Sequence, residues 1–378
     1  MRNKIKCLSL FSCAGMAETY FKEVGIEVVL ANELNKERCN FYKYLYSETE
    51  MLYGDITNIK LRSELVEKAL KYKVDFIIAT PPCQGMSRHG KRKLKDPRNQ
   101  LIYYAIDVIL KIKPKFILIE NVPRQLSTYI SFKNKELLIP DYIKLNLEKY
   151  YKINNDTIFD SADYGVPQSR KRSIFCMVDK SLNISWNRPT ASNTKISLDK
   201  AIGHLPSLDP LIRQEDKRFF FPDFELKKNQ GLLVSKWHYP PTHSWNHVKW
   251  MTNTPSGKSA FENKIFYPKK TDGKRINGRI STYKRYSWFK PANTITQNNG
   301  VISSAVCVHP GRLIRKNKFG SLIYSDARVL SIYELLIISS LPLDWNIPGW
   351  ANEKMIRNVI GEGIPPLLIK KIVQKLQD

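Results

Sequence analysis

Short apolar runs alternate with segments of helical period from Ile5 to about Tyr150. The strand-like runs are Cys7 to Phe11, Glu27 to Ala31, Phe76 to Ala79 and Phe116 to Ile119; the amphipathic segments between them cover Asn35 to Tyr46, Leu61 to Tyr72 and Asn99 to Ile112. Strands separated by helices of that length predict parallel pairing through crossovers, an α/β, doubly wound sheet covered on both faces. Tyr151 to Phe159 and Arg172 to Val178 are further strand-like pieces. After Lys180 the pattern changes: Pro, Asn, Ser, Trp and Tyr become frequent, and no helical period persists for long. That stretch predicts a second, smaller domain, irregular and β-rich, rather than disorder, because its many aromatics can build a core. Helical period returns at Ser331 to Ser340 and Pro366 to Leu376. The expected division is 1–180, 181–330 and a C-terminal helical segment 331–378.

Two of the apolar runs end on reactive groups. Phe76 to Ala79 runs into Thr80-Pro81-Pro82-Cys83-Gln84-Gly85. The two prolines can continue neither a ladder nor a helix and restrict the residue before each, so Cys83 follows a stiff turn. Phe116 to Ile119 runs into Glu120-Asn121-Val122-Pro123. Neighbouring parallel strands lie about 5 Å apart and ligands bind beyond their carboxyl ends, so Cys83 and Glu120 are positioned to face one small molecule.

Charge narrows the partner. The 378 residues carry 61 Lys and Arg against 35 Asp and Glu, a formal charge of +26. Such an excess destabilises the compact state unless an anion is bound, and nucleic acid is the obvious one. No apolar run approaches the roughly 18 residues of a spanning helix, and no long basic amphipathic helix is visible, which argues against a membrane. Met1 to Lys6 followed by Cys7 to Ala14 imitates a signal peptide, but its apolar core is short and reads better as a first strand entering a glycine turn. The expected location is cytoplasmic, and the expected state a monomer. Six cysteines without a Cys-x-x-Cys indicate neither a disulfide framework nor a zinc ribbon. His243 and His247 are four apart and would share a helix face, but Pro240, Pro241 and the nearby tryptophans argue against a helix there, and no metal is expected.

Pro-Cys-Gln at 82–84 after one strand and Glu-Asn-Val at 120–122 after another resemble the DNA cytosine-5 methyltransferases of bacterial restriction-modification systems. The resemblance extends in the family's own order through Leu10-Phe11-Ser12-Cys13-Ala14-Gly15, Asn32-Glu33, Gly54-Asp55, Gln168-Ser169-Arg170-Lys171-Arg172, Arg285 with Pro291-Ala292-Asn293-Thr294-Ile295, and Gly361-Glu362-Gly363-Ile364-Pro365-Pro366. It implies that the two later strand-like pieces close the sheet, and that the last helix packs back on the first domain. It also implies a reaction: methyl transfer from S-adenosylmethionine to carbon 5 of a cytosine flipped out of a specific duplex DNA sequence.

By resemblance, Cys83 supplies a thiolate that attacks carbon 6 of the ring. Glu120, protonated or sharing a proton with N3, quenches the charge that develops. Arg172 contacts the cytosine O2 and steadies Cys83, with Arg170 as a supporting or phosphate contact. Cofactor contacts are carried over to Phe11, Ser12, Cys13, Ala14 and Gly15 in the first loop, to Glu33 and Leu34, to Asp55 and Ile56, and to Pro81, Leu101 and Glu362. Glu33 is expected on the ribose hydroxyls, Asp55 on the adenine amino group and Phe11 over the adenine ring. The chain departs from the family pattern at Ser9, Cys13 and Met16, where an acid and further glycines are common, and at Glu362 in place of an asparagine.

DNA contacts are expected from Gln84, Ser87, Arg88, Lys91 and Arg92 in a basic loop after Cys83, which reads as a lid. Arg275, Arg279, Arg285 and Thr294 are expected to supply more. Residues 227–290 hold 14 Lys and Arg against Glu262 and Asp272, a net of +12. Residues of roughly 185 to 285 are the expected sequence reader, chiefly through this later, more basic part, with Gly257, Gly273 and Gly278 to admit close approach; charge positions DNA and base-edge contacts specify it. A cognate restriction endonuclease acting on the same site is the expected biological partner. The competing readings are an RNA cytosine methyltransferase on the same scaffold and a DNA-binding homologue without activity.

Overall fold

A computed structural model describes residues 4–82, 96–316 and 320–376. Cys83, Gln84, Ser87, Arg88, Lys91 and Arg92 lie outside the described residues. The chain divides into two compact units: one contains residues 1–160, 171–191 and 366–378, the other 161–170 and 192–365.

The first unit is a mixed sheet with helices. Its strands are β1 (Ile5–Leu10), β2 (Ile26–Glu33), β3 (Glu50–Tyr53), β4 (Phe76–Ala79), β5 (Phe116–Asn121), a hairpin of β6 (Tyr129–Phe132) and β7 (Lys135–Leu138), β8 (Tyr151–Ile153) and β9 (Ile158–Asp160). β10 (Gln168–Ser169) belongs to the second unit and β11 (Lys171–Asp179) to the first. The sheet order is β3-β2-β1-β4-β5-β11-β8, with β9 also on β11. β1 to β5 are parallel, and β11 is antiparallel to β5, β8 and β9. Register aligns Leu10 with Ala79 and Ala79 with Ile119, so the loops after β1, β4 and β5 leave the same edge.

Every residue of β4 and β5 is buried, as expected for strands covered on both faces. The covering helices are α1 (Lys36–Leu45), α2 (Ile59–Tyr72), α3 (Leu101–Ile112) and α4 (Ile139–Leu147). α3 buries Ile102, Ala105, Ile106, Ile109 and Ile112, a stripe at three- and four-residue spacing. The side chains of Asn35 and Asn58 cap α1 and α2 by accepting from Arg38 N and Lys60 N. β3 has no sequence signature: it is four residues long and buries only Met51.

The second unit has strands of two to four residues and several helices, among them Phe224–Val234, Trp245–Thr252, Ile332–Ile338 and Glu353–Glu362. Its core gathers Val248, Trp250, Met251, Phe261, Tyr283, Ile302, Val308 and Val329. The helix Trp245–Thr252 departs from expectation: the prolines end at 241, and Ser244 in extended backbone begins the helix just beyond them. His243 lies in a short strand before that helix and His247 within it, so they do not share a helix face. The units also differ from the expected segments. The junction falls after Ala191, the helices Ile332–Ile338 and Glu353–Glu362 belong to the second unit, and only the final helix Pro366–Gln374 returns to the first. There Trp186 Nε1 donates to Ile372 O and Lys370 pairs with Glu23.

Candidate active site

The carboxyl edge of the parallel strands is cross-tied. Asn121 at the end of β5 donates its Nδ2 to Pro81 O at 3.0 Å and accepts from Val122 N at 2.8 Å through Oδ1. Thr80 donates Oγ1 to Phe11 O at 3.0 Å, and its N–H bonds Leu10 O. The turn that precedes Cys83 is thereby fixed to the loops after β1 and β5. Sequence reasoning assigns no role to Asn121 or Thr80. The available signal was Asn121 itself, a polar residue inside a fully buried strand that must find a partner.

Glu120, 8% exposed, pairs with Arg172, also 8% exposed, through Oε1 and Nε at 2.8 Å. Arg172 stands on β11 beside β5, where Ile174 faces Glu120 in the ladder, and its Nη1 donates to Lys171 O. The guanidinium fixes the direction of the carboxyl group, so Arg172 acts on Glu120 directly. This site can hold an acceptor in a set orientation next to the strand that leads to Cys83.

The loop after β1 is built on left-handed backbone at Phe11 (φ 58°), Cys13 (φ 51°) and Gly15 (φ 76°). Only glycine fits at 15: a Cβ there would lie 2.2 Å from the Tyr46 ring. Ser12 and Ala14 are buried, and Phe11 and Cys13 are half-buried. Glu33, at the end of β2, accepts from Cys13 N through Oε2 at 2.9 Å and from Asn35 N through Oε1 at 2.8 Å. Each carboxylate oxygen has a second lone pair, so acceptor capacity remains. Leu34 is exposed beside it, and Asn32 fixes the next loop by donating to Leu52 O and Gly54 O. In that loop Asp55 is exposed and accepts from Thr57 N at 2.8 Å, while Ile56 is buried. Pro81 is buried and Leu101, at the start of α3, is half-buried.

Other expected site residues belong to the second unit. Arg170, 3% exposed, donates Nη1 to Ile295 O at 2.6 Å and Nη2 to Gly361 O and Glu362 O at 3.0 Å each. Its guanidinium is directed at backbone carbonyls, two of them at the end of the helix Glu353–Glu362, where a cation is favoured. Of the supporting or phosphate contact expected of Arg170, the phosphate contact is corrected accordingly. Arg285 is corrected more strongly. It is fully buried and bonds the carbonyls of Met251, His309, Ser325 and Asp326, so it joins four segments of the core and presents no surface to DNA. Arg275 is exposed, lies over the Tyr267 ring at 4.8 Å and donates to Phe261 O; Arg279 is exposed. Thr294 is exposed and donates to Ser169 O, and the half-buried Glu362 accepts from Gln297.

Among the described residues no group of three His, Cys, Asp or Glu side chains is arranged to hold a metal, and no helix is long and apolar enough to cross a membrane. Among the described residues, Cys7, Cys13, Cys39, Cys176 and Cys307 form no disulfide.

Comparison with known proteins agrees with this geometry. Residues 5–378 match the C-5 cytosine-specific DNA methylases. The chain is 42% identical to the Type II methyltransferase M1.HgaI of Avibacterium volantium, over all of this chain and 99% of that protein. It is 26% identical to the Type II methyltransferase M1.HphI of Haemophilus parahaemolyticus, over 97% of this chain and 85% of that one. Among solved structures, a Spodoptera frugiperda DNMT2 mutant superposes with a TM-score of 0.60 at 18% identity, covering 99% of this chain and all of that one; at that identity the likeness speaks for the fold alone. The protein belongs to the C-5 cytosine-specific DNA methylases and is a DNA cytosine-5 methyltransferase.

Proposed function

We propose that the protein methylates carbon 5 of one cytosine, flipped out of a specific duplex sequence, through a covalent bond between Cys83 and carbon 6. The observation that carries this reading is the pair of Arg172 on β11 with Glu120 on β5, tied through Asn121 to the Pro81-Pro82 turn from which Cys83 follows. The Cys83 thiolate adds to carbon 6, and Glu120, protonated or sharing a proton with N3, neutralises the negative charge that builds on the ring, while its other oxygen can accept from the amino group. Carbon 5 thereby becomes a nucleophile. After methylation the carbon 5 proton leaves to solvent, the carbon 6–sulfur bond breaks, and the 5,6 double bond reforms.

The residues after β1, β2 and β3 fit S-adenosylmethionine. A left-handed glycine loop admits close approach, Phe11 offers an apolar face, and Glu33 and Asp55 retain acceptor capacity. When bound there, the cofactor supplies an electrophilic methyl group on a sulfonium. Glu33 would accept from the ribose hydroxyls and Asp55 from the adenine amino group, with Leu34, Ile56, Pro81 and Leu101 closing the apolar sides. Extruding the base costs a few kcal/mol, which phosphate contacts from the basic residues 88–98 and the surface of 227–290 offset. The relatives are Type II methyltransferases, which supports a role in protecting one recognition sequence from a nuclease that cuts it.

The test is trapping. Duplex DNA with 5-fluorocytosine at the target position, incubated with S-adenosylmethionine, should give an adduct that survives denaturation, because fluorine blocks release from carbon 5. Cys83→Ala should give none. An adduct of undiminished yield in Cys83→Ala defeats the assignment.

A further inference from the structure

Beneath the loop Phe11–Gly15 lies an acidic group that the chemistry above does not use. Glu18, 4% exposed, sits in the short turn that follows Gly15. Ser9 of β1 donates its hydroxyl to Oε1, while Oε2 is buried without a well-formed hydrogen bond. Oε2 lies 3.0 Å from the position a Cβ on Gly15 would take, so the carboxyl underlies the left-handed residue of the loop. From β1 it is faced by Cys7 as well as Ser9, and from α1 by Tyr42, whose buried hydroxyl also lacks a well-formed hydrogen bond, with Tyr46 beside it. Tyr46 donates to Gly15 O at 2.6 Å, which holds the loop down on this cluster. The final helix packs near the same turn, but its Lys370 pairs with Glu23 and lies over the Tyr20 ring at 5.0 Å. Among the described residues, the groups that face Glu18 (Cys7, Ser9, Tyr42 and Tyr46) carry no positive charge.

A buried carboxyl among hydroxyls and a thiol is stable only while neutral, unless a cation arrives from outside. The loop above it is the part of this unit read as the binding site of a cofactor that carries a sulfonium and an ammonium. We infer that Glu18 is the internal counter-ion of the cofactor site, ionising beneath the Gly15 loop when a cationic cofactor binds above it. This inference rests on the assignment of that loop to S-adenosylmethionine. Its proton balance is simple: the carboxyl proton leaves to solvent, and the carboxylate formed is compensated by the charge of the ligand. Burial already places the group where such a change matters, raising its pKa to about 7. The sign for the unliganded protein follows. Folding takes up a proton on Glu18 between the ordinary carboxylate range and about 7, so this group's contribution to stability falls as pH rises through that window and is constant above it.

The experiment is isothermal titration of the full-length protein with S-adenosylmethionine between pH 6 and 8, in buffers of differing ionisation enthalpy. The native protein should release part of a proton on binding near pH 7, with affinity rising up to about tenfold from pH 6 to 8, the order expected for one linked site. S-adenosylhomocysteine, which lacks the sulfonium, should release less. In Glu18→Gln the affinity should be flat with pH and equal at pH 8 to the native value at pH 6, although the variant unfolds at a higher temperature than the native protein at pH 8. Better folding with weaker binding is a combination that a purely structural role does not produce. Tight native binding without proton release, or a pH slope unchanged in Glu18→Gln, overturns the inference while leaving the cofactor assignment intact. Absence of S-adenosylmethionine binding by the native protein at every pH removes the cofactor assignment itself, and this inference with it.

Discussion

Breaking the Arg172–Glu120 pair separates a working unit from two independent contacts. The partners are 2.8 Å apart, each is about nine-tenths buried, and Arg172 keeps a further bond to Lys171 O, so its guanidinium cannot swing away without losing both. A hydrogen bond to a charged group is worth about 1.5–3 kcal/mol, or roughly tenfold to 150-fold in a rate. Consider Arg172→Ala, Glu120→Gln and the double variant, each assayed for the single-turnover rate of adduct formation on 5-fluorocytosine DNA. If Arg172 works by aiming Glu120, the two single losses describe one event, and the double variant should be slower than the worse single by only a small factor. It should fall short of the product of the single losses by the same tenfold to 150-fold. Arg172→Lys should recover part of the rate, since it keeps the charge but not the planar fork. Binding of S-adenosylhomocysteine serves as the folding control. A double-variant rate equal to the product of the two single effects within about twofold refutes the idea that Arg172 acts through Glu120, and favours separate contacts to the base.

Two further outcomes follow from the second unit. Arg285→Ala should lower stability by about 3–5 kcal/mol, because it removes a fully buried guanidinium and leaves four backbone carbonyls short of a donor. Thermal unfolding followed by near-ultraviolet circular dichroism reads this, and an unchanged midpoint with weakened DNA binding would return Arg285 to the DNA surface. For sequence reading, transfer of residues 185–285 into a relative with a different target should carry the methylated sequence with it. An active chimera that keeps the recipient's sequence places specificity elsewhere.

The parallel half of the sheet was legible because burial on both faces leaves a strand no choice but to be apolar throughout, as in Phe76 to Ala79 and Phe116 to Ile119. β3 was not, since a four-residue strand with one buried side chain leaves no periodic trace. In the second unit the failure has a different cause. Its order comes from contacts distant in sequence, such as the bridges Arg285 to Val308 and Thr282 to Ala305, and a local pattern cannot register them. Arg285 shows the consequence. A sequence gives the sign of a charge but not its direction, and an arginine in a stretch of net +12 reads as a surface cation even when the fold turns it inward onto four carbonyls. Other cations in this stretch are also engaged. Lys227 pairs with the buried Asp209, and Lys258 with Glu262, so the charge left for a polyanion is smaller than the count suggests.

The departures in the cofactor loop have a physical reading that the sequence alone did not supply. Cys13 stands where a further glycine is common in the family, and its backbone is left-handed at φ 51°. That conformation costs a non-glycine residue about 1–2 kcal/mol. The loop keeps it because the N–H of Cys13 is held by Glu33 Oε2 at 2.9 Å, a charge-assisted bond of comparable worth. Glu33 therefore fixes the loop through both Cys13 and Asn35, and each of its oxygens keeps a second lone pair. Ser9 follows the same logic. Where the family often has an acid, the serine hydroxyl engages the carboxyl of Glu18 from the far side of the loop, so an acidic group still lies beneath Gly15 though it comes from a different element. In this chain the left-handed path at Phe11, Cys13 and Gly15 has the Glu18 carboxyl beneath it and the Glu33 carboxyl beside it. Ser9 and Cys13, which stand out when side chains are compared position by position, are each engaged by one of these two carboxyls.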